Sequence, residues 1–588
     1  MTAPATHLAL AIIAMLTNAC VLFAQPPDTA WVRDYGTGTS GERVECIRPV
    51  PGGGYIISGD TDVGMYSAAK TIRIDDDGNV FWSLVEQPHE LDGTEYIDNI
   101  SDGGFIQGGG ARFNPPAYEE GYVRKLTADG DQEWVRLFGT NNIDDWVSCV
   151  REVPAGGYIA VGVDNAQWFL WRMGPQGQYM WERHLPYEFY TRATFVEPLA
   201  DGGFVIAGNY PDGFSLYKTD SQGIIVWENQ YFSLGRANCV RELPNGNLIA
   251  SGRQWYNILT NAWEVIMTDP DGNVIWNHEI DDEDDDTSYE ANECWIMADG
   301  NLVVCGMGQD EDHYYHRWII KYDLEGNVLW HKIIPDGELF TICQGRDGGI
   351  LVGGIDYSHG WPTADLFRIF KLEPEVEVDL QPDLTIIPET GGWLTYDTEI
   401  NNILVNTTTM DTWTFIVDQN GNGTVVNPSQ ITLEPGIPYS VEDISIEIPA
   451  DIPNGEYVCE YHIGNLATDQ NMGLGAFTFW KGEVAVDDSD NPHNDNPLPN
   501  IFALSAHPNP FNALTTITLS LPQPGDVRLS VYNTLGQEVA RLHDLANGSL
   551  SVGVHQFQLD GSSLSSGTYI VHARFADQTL QQKIVVVK

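Results

Sequence analysis

The chain of 588 residues carries a formal net charge of −54 at neutral pH. So acidic a surface repels nucleic acids and anionic membranes, which argues against both as partners. The charge is compatible with divalent cations, with cationic partners, or with an extracellular protein that is simply soluble. The length is sufficient for three or four domains with cores of ordinary size.

The first 24 residues contain an apolar run, LALAIIAML, which is followed by small residues and by Ala24 and Gln25. This pattern predicts a secretory signal peptide over residues 1–24. The run is too short to span a bilayer, so we expect no transmembrane segment in the mature chain. A lipoprotein anchored at Cys20 is an alternative, but Thr17 stands where that motif has Leu.

Seven tryptophans recur at intervals of 46 to 54 residues, and six of them end a common phrase such as DDGNVFW, PQGQYMW or LEGNVLW. Between them a second phrase recurs, as in PAGGYIAVG and ADGGFVIAG, and each repeat contains four short strand-like runs. A period of about 40–55 residues, built from strands and tight turns, is typical of a β-propeller. The sequence therefore predicts a seven-bladed β-propeller over residues 25–374. The recurring residues are Trp31, Trp82, Trp134, Trp181, Trp227, Trp276 and Trp330.

The ends of the repeat region predict how the ring closes. The last repeat lacks its tryptophan strand, because Pro374 stands where that strand would begin. The missing strand occurs at the start of the mature chain, as AWVRDYG around Trp31. An N-terminal strand that completes the seventh blade leaves no open sheet edge. The turn glycines, for example Gly103 and Gly156, are expected to have positive φ.

We expect the tryptophans to be structural and to pack between neighbouring blades. The four-residue step from Gly326 to Trp330 resembles the tryptophan-docking motif of quinoprotein propellers. This resemblance implies the fold but not a quinone cofactor, because those proteins have a different turn sequence and usually more blades. A sialidase-type Asp box is excluded, since it places its tryptophan one residue nearer to the glycine.

Five cysteines fall just ahead of the recurring glycine turns: Cys46, Cys149, Cys239, Cys294 and Cys343. Similar positions in different blades are not expected to lie close enough for all five to pair. An odd number of cysteines remains after removal of the signal peptide, which also argues against a complete disulfide framework. We therefore predict buried free thiols that act as small apolar residues.

Beyond Pro374 the repeat stops, although the chain remains all-β in character. Residues 375–482 combine regular turns with alternating apolar residues, which predicts an immunoglobulin-like β-sandwich. Residues 483–500 are rich in Asp, Asn and Pro and predict a disordered linker. Residues 501–588 again contain strand-like runs and predict a small β-sandwich.

The C-terminal segment carries the motifs HPNPFN, VYNTLGQEV, SGTY and KIVVVK in that order. Over residues 505–588 it resembles the type A C-terminal sorting domain of type IX secretion cargo. The resemblance implies recognition by the outer-membrane translocon and, usually, removal by a sortase-like protease, after which the cargo is released or fixed to the cell surface. The residues taken as the sorting motif are Pro508, Asn509, Pro510, Phe511, Gly536, Gly567 and Lys588.

Loop composition predicts which face of the propeller binds a ligand. The turns between the first and second and between the third and fourth strands are short and glycine-rich, whereas the connections on the opposite face are longer, aromatic and acidic. Functional residues commonly lie on loops carried by a rigid scaffold. Aromatic rings suit stacking on sugars and carboxylates suit Ca²⁺, although such loops are also typical of plain solvated surface. The candidate ligand-binding residues are Tyr118, Tyr210, Trp255, Tyr256, Tyr315 and Trp361, and the candidate metal ligands are Asp281, Asp282, Asp284, Asp310 and Asp312.

The sequence contains no nucleophile elbow, phosphate loop, HExxH motif or CxxC pair. It therefore favours a secreted or surface-displayed, non-catalytic protein that binds an extracellular ligand such as a glycan. A polysaccharide-active hydrolase or lyase, with carboxylates gathered from several blades, is one alternative. A structural or adhesive surface protein is another. No cofactor is indicated apart from Ca²⁺.

Overall fold

The computed structural model contains 43 β-strands and no α-helix within the residues that it describes. No helix in this part of the chain is long and apolar enough to cross a membrane. The predicted signal peptide lies outside the described residues. Those residues are 26–36, 42–63, 66–86, 91, 93–111, 120–139, 145–164, 167–184, 192–209, 213–256, 260–281, 287–310, 312–357, 367–382, 385–404, 406–418, 423–468, 470–482, 503–507, 514–521, 523–533, 538–543, 549–561, 564, 567–575 and 578–586.

The chain divides into two compact units. The first comprises Met1–Thr385, Trp393–Ile448 and Glu456–Phe479, and the second comprises Ile386–Gly392, Pro449–Gly455 and Trp480–Lys588. The first unit contains seven four-stranded antiparallel sheets, the blades of a β-propeller. Blades are numbered here in chain order, and the strands of each blade are called a to d from the innermost outwards.

Every blade has its strands in simple meander order. Blade 1 contains β2 (Arg43–Pro49), β3 (Tyr55–Val63), β4 (Tyr66–Ile74) and β5 (Val80–Val85); blade 2 contains β6 (Gly93–Asn99), β7 (Phe105–Ala111), β8 (Glu120–Leu126) and β9 (Gln132–Phe138); blade 3 contains β10 (Trp146–Glu152), β11 (Tyr158–Asp164), β12 (Gln167–Met173) and β13 (Tyr179–His184). Blade 4 contains β14 (Arg192–Pro198), β15 (Phe204–Asn209), β16 (Phe214–Thr219) and β17 (Ile225–Phe232); blade 5 contains β18 (Gly235–Glu242), β19 (Leu248–Trp255), β20 (Asn261–Thr268) and β21 (Val274–Ile280); blade 6 contains β22 (Tyr289–Ile296), β23 (Leu302–Gln309), β24 (Tyr315–Tyr322) and β25 (Val328–Ile334). Blade 7 contains β26 (Gly337–Gln344), β27 (Ile350–Asp356), β28 (Arg368–Leu372) and, as its outer strand, β1 (Thr29–Asp34).

The N-terminal strand closes the ring, as the sequence predicts. Strand β1 pairs antiparallel with β28, and the register places Val32 opposite Phe370. The Arg368 guanidinium forms a bidentate ion pair with Asp34, at 2.5 Å from Nε to Oδ1 and 2.9 Å from Nη2 to Oδ2. The inner strand of blade 7 contacts that of blade 1. The seven inner strands therefore form a closed series.

The recurring glycine turns share one geometry. In the turn between strands a and b of blade 3, the Gly156 N–H donates to the Val153 carbonyl at 2.7 Å, and Gly156 has φ of 90°. The turns between strands c and d add a carboxylate cap: the Asp323 Oδ1 accepts from the Asn327 N–H at 2.8 Å. A side chain with a Cβ adopts positive φ only at a cost, which explains the glycine. An aspartate three residues before the glycine supplies this cap in four of the six c–d turns. Where Asn follows the glycine, its side-chain amide donates to the other oxygen of the same carboxylate.

The recurring tryptophans hold neighbouring blades together, as the sequence predicts. The Trp82 ring lies against Gly130 in the c–d turn of the next blade, where an added Cβ would come within 3.1 Å of the ring. Its indole N–H donates to the Ala128 carbonyl of the same turn at 3.0 Å. Glycine is required there because the ring occupies the place of a side chain.

Blade 7 departs from this pattern because its outer strand comes from the N-terminus and no c–d turn exists. The Trp330 indole N–H instead donates to the Glu375 Oε1 at 2.8 Å. Glu375 also forms a buried ion pair with Lys321, which in turn binds Asp299 at 2.7 Å from Nζ to Oδ2. The residue that follows the propeller therefore supplies the contact that a turn supplies elsewhere.

A β-sandwich follows the propeller. One sheet has the order β29 (Val376–Pro382), β31 (Gly392–Asn402), β34 (Tyr439–Ile448), and the other has the order β30 (Ile386–Ile387), β36 (Gln470–Lys481), β35 (Gly455–Asn465), β32 (Thr408–Asp418), β33 (Gly423–Leu433). Leu394, Tyr396 and Trp413 are among its buried residues. The immunoglobulin-like assignment of this sandwich stays a prediction.

Within the first unit, this sandwich packs on the face of the propeller that bears the a–b turns. The Asn471 amide donates to the Arg346 carbonyl at 2.6 Å, and the Arg346 guanidinium pairs with Glu460. A Cβ at Gly348 would lie 2.1 Å from the Met472 carbonyl oxygen, so the two backbones are in close contact. The opposite face, with the b–c and d–a connections, is not used in these contacts.

The second unit contains two sheets in its C-terminal part. Their orders are β37 (Ala503–His507), β38 (Leu514–Leu521), β41 (Gly553–Asp560), and β40 (Glu538–His543), β39 (Val527–Asn533), β42 (Gly567–Phe575), β43 (Gln578–Val586). Ile517, Leu529 and Val571 belong to one buried cluster. Gly567 begins β42, whereas Pro508, Asn509, Pro510, Phe511, Gly536 and Lys588 lie outside the described residues.

Candidate functional site

Each of the seven inner strands carries a β-bulge at an equivalent place. The pairing register with strand b skips one residue, for example between Val44 and Cys46 and between Ala237 and Cys239. A bulge bends the strand and re-aims the side chain of the extra residue. The bulged residues are Glu45, Glu95, Ser148, Thr194, Asn238, Asn292 and Phe340.

All seven bulged residues line one central cavity of about 390 Å³. This volume lies in the range of small-molecule sites. The bulges are near the start of strand a, so the cavity is at the end of the channel where the d–a connections enter. This is the face that loop composition favours and that the sandwich contacts leave unused.

Three of the bulged residues form hydrogen bonds to the next blade. The Thr194 hydroxyl donates to the Ala237 carbonyl at 2.7 Å, and the Asn292 amide donates to the Leu339 carbonyl at 2.7 Å. The Asn238 amide donates to the Ala291 carbonyl at 3.0 Å in the same manner. In each case the acceptor precedes the bulged residue of the next blade. The polar bulged residues of blades 4, 5 and 6 are thus engaged in hydrogen bonds within the ring.

Some polar groups of the cavity lining are left without a hydrogen-bond partner among the described residues. The Ser148 hydroxyl and the Arg192 Nε are two such groups, and both are buried. Buried donors of this kind are unfavourable unless something binds them. Phe340, the one apolar bulged residue, is only half-buried. The cavity therefore offers hydrogen-bond donors and one aromatic ring to a ligand.

The cavity is nearly balanced in charge, in contrast to the acidic chain. Its lining contains Arg43, Arg48, Arg192 and Arg236 together with Glu45, Glu95, Glu290, Glu293 and Glu338. Arg192 pairs with Glu95 at 2.8 Å, and Arg236 pairs with Glu290 at 3.0 Å. Because the cations and anions neutralise each other, the site suits neither a polyanion nor a bare cation.

Two glutamates of the cavity hold protons more strongly than usual. Burial raises the pKa of Glu45 to about 8, although Arg43 lowers it. Burial likewise raises the pKa of Glu338 to about 6, although the Tyr357 hydroxyl, which donates to Glu338 Oε1 at 2.9 Å, lowers it. Glu45 also forms an ion pair with Arg43, at 2.5 Å from Nε to Oε1, and this carboxylate is the largest cause of the raised pKa of Arg43. The four arginines and five glutamates of the lining are therefore close to balance.

Below the cavity, six charged side chains alternate in sign from blade 1 to blade 6, and blade 7 contributes none of them. Arg151 binds Asp98 at 2.7 Å and Glu197 at 2.6 Å. Arg241 binds Glu197 at 3.4 Å and Glu293 at 3.0 Å, and Arg48 binds Glu293 at 2.6 Å. Arg48 and Glu293 also line the cavity, so this charge belt forms its floor. The belt consists of Asp98, Arg151, Glu197, Arg241, Glu293 and Arg48.

The three predicted aromatic residues that the structure describes lie on blades 5 and 6. Trp255 ends β19, is half-buried, and lies beneath the Arg253 guanidinium at 5.2 Å from its ring centre. Tyr256 is 44% exposed. The Tyr315 ring packs 5.8 Å from that of Tyr357, which reaches the cavity through Glu338. Tyr118, Tyr210 and Trp361 lie outside the described residues.

Of the predicted metal ligands, Asp310 and Asp312 belong to a five-residue turn between β23 and β24. This connection is short, contrary to our expectation, because it repeats the geometry of the glycine turns with His313 at positive φ. The Asp310 carboxylate accepts from the Asp312 N–H at 3.0 Å and from the Tyr314 N–H at 2.9 Å, and it contacts His316 Nε2 at 2.9 Å. Its oxygens are thus engaged within the turn.

Asp281 directly follows β21, and Asp282 and Asp284 lie outside the described residues. Together with burial, which is the larger cause, Asp281 raises the pKa of the buried Glu264 to about 8. A different group, Asp164, Glu182 and His184, has ligand atoms within 4.8 Å of one another and could hold a metal ion. A calcium site at the acidic connections stays a prediction.

The cavity residues were not among those that the sequence singled out. In six of the seven repeats the bulged residue is polar, and in five it lies just before Cys, Tyr or Phe, as in VEC, VSC and ANC. In hindsight, an aligned polar position inside an otherwise buried strand is the signal. Loop composition instead indicated residues of the long connections at the rim of the propeller.

The chain has distant similarity to several solved structures. Solved structures similar to the chain include virginiamycin B lyase from Staphylococcus aureus, at 12% identity over 58% of this chain and 99% of that chain with a TM-score of 0.40. They also include Sqt1 from Chaetomium thermophilum, at 11% identity over 59% of this chain and 99% of that chain with a TM-score of 0.40. No curated protein matches the sequence.

The C-terminal segment has a specific match. The family model of the secretion system C-terminal sorting domain matches residues 505–587. These are the residues in which the HPNPFN, VYNTLGQEV and SGTY motifs occur. Such a domain implies export to the cell surface or into the medium. The chain is therefore an all-β protein with a seven-bladed propeller and the C-terminal sorting domain of type IX secretion cargo.

Proposed function

We propose that this protein is an exported, non-catalytic propeller that binds a neutral polar ligand, best matched by a glycan, in its central cavity. The observation that carries the proposal is the ring of seven bulged residues around one cavity of about 390 Å³. Every blade contributes one of these side chains, so the cavity is a feature of the whole ring. Its balanced charge, in a chain of net charge −54, favours a neutral ligand.

The chemistry of the cavity suits a sugar. Hydroxyl groups of a glycan can accept from the buried Arg192 Nε and exchange hydrogen bonds with the Ser148 hydroxyl, which have no partner in the described structure. An apolar sugar face can stack on the half-buried Phe340 ring. The rim aromatics Trp255 and Tyr256 support a longer glycan that continues out of the cavity.

The test is binding of the full chain to an array of neutral and acidic oligosaccharides, with and without Ca²⁺. For a glycan that is retained, we expect Phe340→Ala to weaken binding by roughly 1–3 kcal/mol, by analogy with base–aromatic stacking. We expect Ser148→Ala to cost about 1 kcal/mol for one neutral hydrogen bond. Isothermal titration measures both, and a thermal melt of each variant checks folding.

Rim variants supply the matched comparison. Trp255→Ala and Tyr256→Ala should alter affinity less than Phe340→Ala if the cavity is the main site. If the rim variants lose more affinity than Phe340→Ala, the main binding site is at the rim, which is the site that loop composition predicts. Retention of no neutral glycan by the parent protein would contradict the proposal. Binding that appears only with Ca²⁺ would direct attention to the acidic connections or to His184.

A second candidate, a polysaccharide hydrolase, is favoured by one observation. Glu45 and Glu338 lie in the same cavity and have pKa values raised to about 8 and about 6. A glutamate that keeps its proton near neutral pH can act as a general acid. The retained glycans are therefore also assayed for new reducing ends. If the parent protein cleaves a glycan, and Glu45→Gln still binds that glycan but no longer cleaves it, the function is hydrolysis and not binding alone.

For export, we propose that residues 501–588 are read by the type IX translocon and removed by a sortase-like protease. We also propose the boundaries 1–24 for the signal peptide, 25–374 for the propeller, 375–482 for the sandwich and 483–500 for the linker. Removal of residues 501–588 should retain the protein inside the cell envelope while the propeller still folds. Fractionation of cells that possess the secretion system measures this, with the full chain as control. Normal appearance of the truncated chain outside the cell would contradict it.

A further inference from the structure

The bulges of the inner strands place certain cysteines against the next blade. In blades 1, 3 and 5 the residue directly after the bulge is a buried cysteine. The Cys46 Sγ lies 3.3 Å from the Ile97 carbonyl oxygen, and the Cys149 Sγ lies 3.9 Å from the Val196 carbonyl oxygen. In both cases the contacted residue is the second one after the bulge of the following blade.

The same contact between blades 5 and 6 meets a second cysteine. The Cys239 Sγ lies 3.9 Å from the Cys294 carbonyl oxygen, and the two sulfur atoms are 3.6 Å apart. At the second position after the bulge, the seven blades carry Ile47, Ile97, Val150, Val196, Val240, Cys294 and Ile342. Cysteine replaces the usual branched apolar residue in blade 6 alone.

We propose that Cys239 and Cys294 form a disulfide bond that joins blades 5 and 6 in the exported protein. A disulfide has an S–S length of about 2.05 Å, so the two sulfur atoms need to approach by only about 1.5 Å. In the structure all seven described cysteines are free and buried, as the sequence predicts, and the proposal goes beyond this. It concerns one pair, and the other five described cysteines keep their thiols: Cys46, Cys149, Cys305, Cys343 and Cys459.

The chemistry is thiol–disulfide exchange. The oxidant is the disulfide of a thiol oxidase of the cell envelope, which first forms a mixed disulfide with one of the two cysteines. The second thiolate then attacks that sulfur, the S–S bond between blades forms, and the oxidase leaves as a dithiol. The two thiol protons and two electrons of the pair are thereby transferred to the oxidase. Export, which the sorting domain implies, removes the chain from the reducing cytoplasm where such bonds are rare.

Cys239 also lines the central cavity, whereas Cys294 lies behind it. The bond would therefore fix the cavity wall between the blades that carry Asn238 and Asn292. These two residues already contact each other at 3.2 Å from Nδ2 to Oδ1. A covalent tie at this point limits the separation of the two blades and so preserves the shape of the site. This consequence does not depend on the identity of the ligand.

The test counts thiols in the exported full chain, which is collected in N-ethylmaleimide and denatured without reductant. We expect five of the seven described cysteines to be alkylated before reduction and all seven afterwards. Peptide mapping should place the remaining pair at Cys239 and Cys294. Seven alkylated cysteines in the unreduced protein, or a bond that joins either residue to Cys305, would overturn the proposal.

Two variants guard against a misleading result. Cys294→Val introduces a residue type that neighbouring blades carry at this position, so it should fold and should expose Cys239 to alkylation. Cys149→Ala removes an equivalent thiol that faces no second cysteine, so it should leave the bond intact. Reductant should lower the melting temperature of the parent and of Cys149→Ala but not of Cys294→Val. An equal shift in all three proteins would also overturn the proposal.

Discussion

Deletion of residues 25–36 is expected to abolish folding of the propeller as a soluble monomer. The deletion removes strand β1 and so exposes the whole length of β28 as an open sheet edge. It also removes Asp34, one of the two carboxylates paired with Arg368, and the backbone hydrogen bond from the Glu373 N–H to the Asp28 carbonyl at 2.9 Å. Unpaired edges pair with other chains, so aggregation should accompany the loss. The expected loss is comparable to the stability of a whole domain, about 5–15 kcal/mol.

The measurement compares the deletion variant with the parent by size-exclusion chromatography and thermal melting. A synthetic peptide of residues 25–36 should restore a soluble monomer, because an added strand can pair with the exposed edge. A peptide of the same composition in scrambled order is the control, since it cannot place Trp31 against Gly78. If the deletion variant melts like the parent, closure by the N-terminal strand is wrong.

Replacement of Glu293 by Gln is expected to be the most destabilising single substitution in the charge belt. The carboxylate pairs with Arg48 and Arg241, and its Oε2 also accepts from the Thr341 hydroxyl at 2.8 Å and the Ile342 N–H at 3.1 Å. The Glu293 side chain is only 7% exposed. The substitution leaves the buried Arg48 guanidinium without its paired carboxylate and leaves Arg241 with Glu197 alone. Removal of one partner from a buried ion pair costs about 3–5 kcal/mol.

Urea denaturation of the parent and of Glu293→Gln measures this loss. Although burial raises the pKa of Glu293, Arg48 and Arg241 outweigh it, and the folded-state pKa is below the usual value. The stabilisation by this carboxylate is therefore present above its unfolded pKa and is lost as pH falls through its folded pKa. The difference between variant and parent should shrink accordingly in acid.

Glu133→Gln is the matched control for this prediction. Glu133 also forms an ion pair, with Lys125 at 3.0 Å, but its side chain is 39% exposed. Exposed pairs contribute roughly 0–1 kcal/mol, so this variant should unfold nearly like the parent. An equal loss of unfolding free energy in both variants would contradict the prediction, because it would mean that burial does not strengthen the ion pairs of the belt.

The overall fold was predictable because its determinants are local. Each turn is determined by a few adjacent residues. These are a glycine at positive φ and, in many c–d turns, an aspartate that caps the turn. Six of the seven tryptophans lie four residues after such a glycine, and six of them contact the c–d turn of the next blade. A local rule repeated seven times is visible in the sequence, and so is its interruption at Pro374. The missing strand at Trp31 then indicated the closure that the structure confirms.

The sorting domain was recognisable for a related reason. Its motifs occur in order within one segment, so they need no folding to be brought together. The contact between Trp330 and Glu375 was not predictable, because Glu375 belongs to no repeat. It takes the place of a turn only because the outer strand of blade 7 comes from the other end of the chain.

The amino-acid sequence by itself determined the blades, their number and the closing strand, since turn chemistry and strand alternation act over a few residues. Only the tertiary structure decided which polar side chains face the cavity. One bulge in each inner strand moves one residue out of the alternating pattern, and a shift by one position turns a side chain to the opposite face. The tertiary structure also decided that Cys239 contacts Cys294 and that the charges of the belt alternate in sign. These residues are about one repeat apart in the chain and become neighbours only when the ring packs blade against blade.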